Sequence, residues 1–184
     1  MVSLDELPED LRERIGAIAE KPGFVPNVFL ALGHEPAQLR AFMDYHDAVM
    51  ERESGLSKAE RELVVVATSG ANHCTYCVVA HGAILRIRSK DPYLADRVAT
   101  NPWSAELTER QRAIVDLALA LAVDPGVFSA ADIDAAREAG LSDEEIWDVG
   151  AVTALFAMSN RLAHLTDLRP NEDFYLMGRV PKLG

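Results

Sequence analysis

Both cysteines of the 184-residue chain fall in one short stretch, Cys74-Thr75-Tyr76-Cys77, with His81 four residues after the second and Glu62 twelve before the first. On a helix, positions 74, 77 and 81 are three and four residues apart, so two thiols and an imidazole stack along one face. Two thiols able to close a disulfide, beside a group able to accept a proton, make a redox site. Only a thiolate attacks a peroxide oxygen, and a helix N-terminus stabilises thiolates through its free N–H groups and positive end. With Asn72 as the cap, Cys74 falls at the second helical position and Cys77 one turn on. This argument favours Cys74 as the thiol of lower pKa.

Glu62 joins the site only if the chain turns back. In one straight helix it would lie about 18 Å from Cys74, at roughly 1.5 Å per residue, too far for proton transfer. A reversal near Gly70 would instead set it level with the turn Cys77–His81. A Glu62 more than one water from both residues would have no part in the chemistry.

The same residues have plainer readings. Free cysteines are often inert core thiols. Cys74, Cys77 and His81, helped by His73, have a spacing that zinc tolerates, but a second ligand pair is missing from the sequence. A c-type haem is excluded because Val78 follows Cys77. Glu62 alone would be a solvated helix residue. His34, His46 and His164 read as packing or surface histidines, and the stripe with Tyr45, His46 and Met50 as core more than site.

The elements that must hold these groups are helices. Pro8-Glu9-Asp10 opens a first helix to about Glu20, Pro26 and Glu35-Pro36 open two more, and Ser57-x-x-Glu60, Thr108-x-x-Gln111 and Ser142-x-x-Glu145 are capping boxes. Ala139-Gly140 reads as a helix end with Gly140 left-handed. The run Leu63–Thr68 has strand character, and a strand before a CxxC helix would be thioredoxin-like. The chain supplies almost no other strands, so 57–69 is assigned to a helix. Segments 56–81 and 141–164 begin alike and share an Asn and an Ala-His pair, which would fit a faint duplication of a helical hairpin or only shared capping.

Composition agrees with one all-α domain spanning 1–184, its motif region at 56–90. Hydrophobic residues make up 49%, enough for one well-buried core and few for two. A net charge of −11 disfavours nucleic acid and anionic membranes as partners. The N-terminus is acidic and amphipathic, unlike a secretory signal, so a cytoplasmic location is expected. There a CxxC pair is reduced, metal-bound or catalytic.

Glu62, Cys74, Cys77 and His81, spaced E-x11-C-x2-C-x3-H, resemble the signature of the alkylhydroperoxidase AhpD-like family, within the carboxymuconolactone decarboxylase group. GFVPNVFLALGHEP at 23–36, ANHCTYCVVAHGAILR at 71–86 and PNEDFYLMGR at 170–179 resemble its peroxidase-related branch, so the likeness covers nearly the whole chain. The resemblance implies an all-α helical bundle that forms homo-oligomers (dimers, trimers or hexamers). It implies a peroxidase acting on hydrogen peroxide or organic hydroperoxides, with no bound cofactor or metal. Electrons would come from an external dithiol, in the type case a lipoylated protein. Cys77 would attack, Cys74 would resolve, and His81 and Glu62 would relay protons.

At one place the chain departs from the best-known members, which carry a histidine before the second cysteine. Here Tyr76 stands there, and a phenol of pKa roughly 10 is a poor base. Tyr76 and His73 are the candidate supporting groups beside these four residues, with His73 able to compensate from the other side. Two other functions fit the residues less well: a redox sensor with a switchable disulfide, and a decarboxylase-like enzyme that would leave the cysteines idle.

Overall fold

The computed structural model describes residues 1–179 and contains helices and no strand among them. In chain order the α-helices are α1 (Glu9–Glu20), α2 (Asn27–Leu32), α3 (Pro36–Met50), α4 (Lys58–Ala71), α5 (Thr75–Ser89), α6 (Leu94–Thr100), α7 (Glu109–Val123), α8 (Ala130–Glu138), α9 (Asp143–Leu165) and α10 (Asp173–Leu176). The three capping boxes read from the sequence open α4, α7 and α9, each with its Ser or Thr hydroxyl accepting the backbone N–H three residues on. Gly140 ends α8 at a φ of +93°. No helix of the described residues is long and apolar enough to cross a membrane.

The β-branched run 63–68 forms the middle of α4. Every residue from Arg61 to Ser69 is buried, because α4 is surrounded by α5, α6, α7 and α9. A helix enclosed on all sides has no polar stripe to show, which is why the run imitates a strand. One face of α4 joins α5, α7 and α9 in a core that includes both cysteines. The other meets α6, where a Cβ on Gly70 would come within 2.8 Å of the Ala99 carbonyl oxygen. A smaller cluster of Leu7, Leu11, Ile15, Leu39 and Met43 fastens α1 to α3.

The reversal between α4 and α5 is a Schellman turn. Asn72 caps α4, the Cys74 N–H donates to the Ser69 carbonyl at 2.9 Å, and the His73 N–H donates to the Gly70 carbonyl at 3.0 Å. His73 takes the left-handed position usually given to glycine, at φ +53°. Asn72 therefore closes the first helix and does not open the second; Cys74 itself is the N-cap of α5. Segment 141–164 lies in the single helix α9 and the turn before it, so it does not repeat the α4–α5 hairpin.

Candidate active site

Because α5 runs back along α4, residues equidistant from the turn meet. The Glu62 carboxylate receives His81 Nδ1 at 2.8 Å through one oxygen and Arg88 at 3.1 Å through the other. Glu62 needs no bridging water to reach His81. As the carboxylate can only accept, His81 carries its hydrogen on Nδ1, which leaves Nε2 to exchange protons. The imidazole is wedged edge-on against Phe156 of α9, ring centroids 4.6 Å apart.

Both cysteines are unbridged and buried where α5 begins against α9. Cys77 lies 3.9 Å from the Ser159 hydroxyl. Asn160, wholly buried, donates to Ser69 at 3.0 Å and accepts from Asn72 at 3.1 Å, tying α9 to the end of α4 and to the turn. His164 donates from Nε2 to the Asn72 carbonyl at 2.9 Å.

The two sulfurs differ in charge and access. Cys74 is brought down to about 6, first by a hydrogen bond from the Cys77 thiol, against the cost of burial, and further by the Cys77 backbone N–H, His164 and the Asn160 amide. Cys77 is pushed well up by sharing its proton with Cys74, by burial and by the Cys74 charge. One proton thus serves two sulfurs, with the negative charge favoured on Cys74. Cys74 also borders a pocket of about 460 Å³, walled by Tyr76, His164, Leu168, Arg169 and Tyr175 among others, whereas Cys77 does not line it.

Of the residues singled out in the sequence, Glu62 pairs with His81 and Cys74 with Cys77, while Tyr76 and His73 join neither pair. The Tyr76 hydroxyl is turned to α2, where it accepts the Val28 N–H at 3.2 Å, and burial pushes its ionisation further up. His73 is exposed in the turn. Ser159 and Asn160 carry no local signal of a site, and His164 and His46, expected to be packing or surface histidines, lie near it: the His46 ring centroid is 6.5 Å from that of His81. One signal was present: the Asn and the Ala-His pair shared by 56–81 and 141–164 include Asn72, Asn160, His81 and His164. Among the described residues no group of three or more His, Cys, Asp or Glu side chains is arranged to hold a metal ion.

A peroxidase-related protein from Ralstonia eutropha JMP134, described as an alkylhydroperoxidase AhpD core, is 54% identical, with a TM-score of 0.95 over 98% of this chain and 95% of its own. The chain belongs to the AhpD-like alkylhydroperoxidase family. The wider carboxymuconolactone decarboxylase family model matches residues 36–92, from α3 through the end of α5. A peroxidase-related protein from Silicibacter sp. TM1040 is 37% identical, with a TM-score of 0.91 over 97% of this chain and 94% of its own. The debrominase Bmp8 shares the fold at 18% identity, with a TM-score of 0.78 over 92% of this chain and 90% of its own. No curated protein matches the sequence.

Proposed function

We propose that this AhpD-like protein is a thiol peroxidase that reduces hydrogen peroxide or organic hydroperoxides through a Cys74–Cys77 dithiol/disulfide cycle. The observation that carries this reading is the unbridged cysteine pair at the N-cap and first turn of α5, with a hydrogen-bonded Glu62–His81 pair one turn further on.

A thiolate attacks one peroxide oxygen; an S–O bond forms, the O–O bond breaks, and the alkoxide leaves with a proton as alcohol. The second thiol then displaces hydroxide from the sulfenic acid, closing the disulfide and releasing water. A dithiol supplied from outside the chain returns two electrons and two protons. The family resemblance gives the first attack to Cys77. The charge on Cys74 and its place on the pocket favour the reverse order, and we assign the first attack to Cys74. Cys77, whose thiol ionises with difficulty, is then the group that needs the Glu62–His81 pair as its base.

The test is consumption of cumene hydroperoxide and hydrogen peroxide with excess dihydrolipoamide, wild type beside a Cys74→Ser/Cys77→Ser double variant. Turnover in the wild type that disappears in the double variant supports the peroxidase; equal rates end it. A dimedone-type probe then reads the order. Cys77→Ser should accumulate a trappable sulfenic acid on Cys74, while a trap found only in Cys74→Ser restores the order implied by the family.

A further inference from the structure

Reduction of a hydroperoxide by a dithiol yields an alcohol, water and a disulfide, so each turnover moves two protons from the donor to the products. The donor sheds them at the protein surface, and they are consumed at two buried sulfurs. Where this family's best-known members place a second imidazole, the chain has Tyr76, whose hydroxyl is occupied by Val28. His73 points away in the turn. The structure brings a different imidazole close to His81.

His46 lies on α3 with its ring 6.5 Å from His81, centroid to centroid, a separation that one water can span. Its Nδ1 is 3.3 Å from Asp47. Side-chain exposure rises outward along the series, from 3% for Glu62 to 15% for His81 and 31% for His46. Resting on the peroxidase reading above, we propose that His46 is a positioning residue of the proton path, a second imidazole that carries protons between solvent and His81.

The charged groups that face His46 suit that task. Asp47 lies on its own helix, held in turn by Arg14 of α1 at 2.8 Å; His81 faces it from α5 and Glu62 from α4. Burial and the His81 charge hold its pKa below the ordinary histidine value, against the opposing pull of Asp47 and Glu62. At neutral pH His46 is therefore uncharged and free to accept a proton. Below its pKa His46 would already hold a proton and could accept no other, so the path would stall.

The experiment compares His46→Gln and His46→Phe with wild type in two assays. The first is peroxide turnover with dithiothreitol across the acid-to-neutral range. The second is reduction by dithiothreitol of the Cys74–Cys77 disulfide formed with diamide, which returns a proton to Cys77 and involves no peroxide. Both rates should fall on the order of tenfold to a hundredfold, within the range of lost proton-transfer help. The inflection below the ordinary histidine pKa should vanish, and added imidazole should restore part of the rate. Wild-type rates and pH profile in the variants would overturn the proposal, and so would a loss that leaves the profile unchanged and ignores imidazole. Should wild type reduce no peroxide while His46 still governs disulfide reduction, the peroxidase reading falls and the proton path stands.

Discussion

Arg61 and Glu62 are neighbours on α4, both buried, and their surroundings could hardly differ more. Arg61 donates to the Val49 carbonyl at 2.7 Å, to Ser54 at 2.6 Å and to Asp148 at 2.7 Å; Asp148 also receives Ser54 and Arg52. Only its Nε lacks a partner among the described residues. That network holds no histidine; it joins the segment after α3 to α4 and α9 and reaches the surface at Arg52, which also meets Glu144. Glu62 holds His81, whose other nitrogen has no hydrogen-bond partner among the described residues, and Arg88, which is partly exposed. Guanidinium donors around a carboxylate fix geometry, whereas an imidazole with a second ring nitrogen can pass a proton on. The same helix thus carries a clamp and a relay side by side.

Substitution should separate the two. Glu62→Gln keeps shape but removes the carboxylate that orients His81, so turnover should fall about 10²–10⁴-fold, the usual range for general acid–base help. Unchanged kinetics would take Glu62 out of the mechanism. Arg61→Met leaves Asp148 buried without its main partner and should cost about 3–5 kcal/mol of stability, read by denaturant unfolding. Turnover per folded molecule should survive it. A stable Arg61→Met protein with lost turnover would erase the distinction between clamp and relay.

The sequence carried the relay better than the clamp. Glu62 and His81 were legible because an antiparallel hairpin pairs residues at equal distance from its turn, a rule that needs no tertiary information. Arg61 and Asp148 are 87 positions apart, and nothing local marks either as buried. Asn160 and His164 reach the sulfurs for the same long-range reason, through the packing of α9. His46 was assigned to the core because a helical stripe shows which residues share a face but not what faces it. The turn was placed within a few residues, yet its caps were misassigned: Asn72 favours helix starts by propensity, and only the bonds from Cys74 and His73 back to α4 show that it ends one.

A further measurement sharpens the contrast between the two sulfurs. With the pKa of Cys74 at about 6, iodoacetamide should modify it with a rate that rises through that pH and is flat near neutrality. An ordinary thiol, near 8.5, would still be climbing there. The linkage has a definite sign. A folded-state pKa below the unfolded value adds stability that is complete above the unfolded pKa and is lost as pH falls toward about 6. Cys77→Ala should raise the apparent pKa of Cys74, since the Cys77 thiol is the largest cause of its depression. An unmoved alkylation profile would mean that the helix N-terminus and His164 suffice alone.

His73 probes the comparison from outside both networks. It stands beside Cys74 in sequence, yet it occupies the left-handed corner of the Schellman turn at φ +53° and is exposed. A residue with a Cβ is strained there, by roughly 1 kcal/mol, and glycine is not. Glycine also gives the unfolded chain more freedom, which offsets part of the gain. His73→Gly should therefore leave stability equal or raised by less than about 1 kcal/mol and leave peroxide turnover and its pH profile untouched. If turnover fell with the fold intact, proximity along the chain would matter more than the bonding pattern, and the relay would extend to the Cys74 side of the turn.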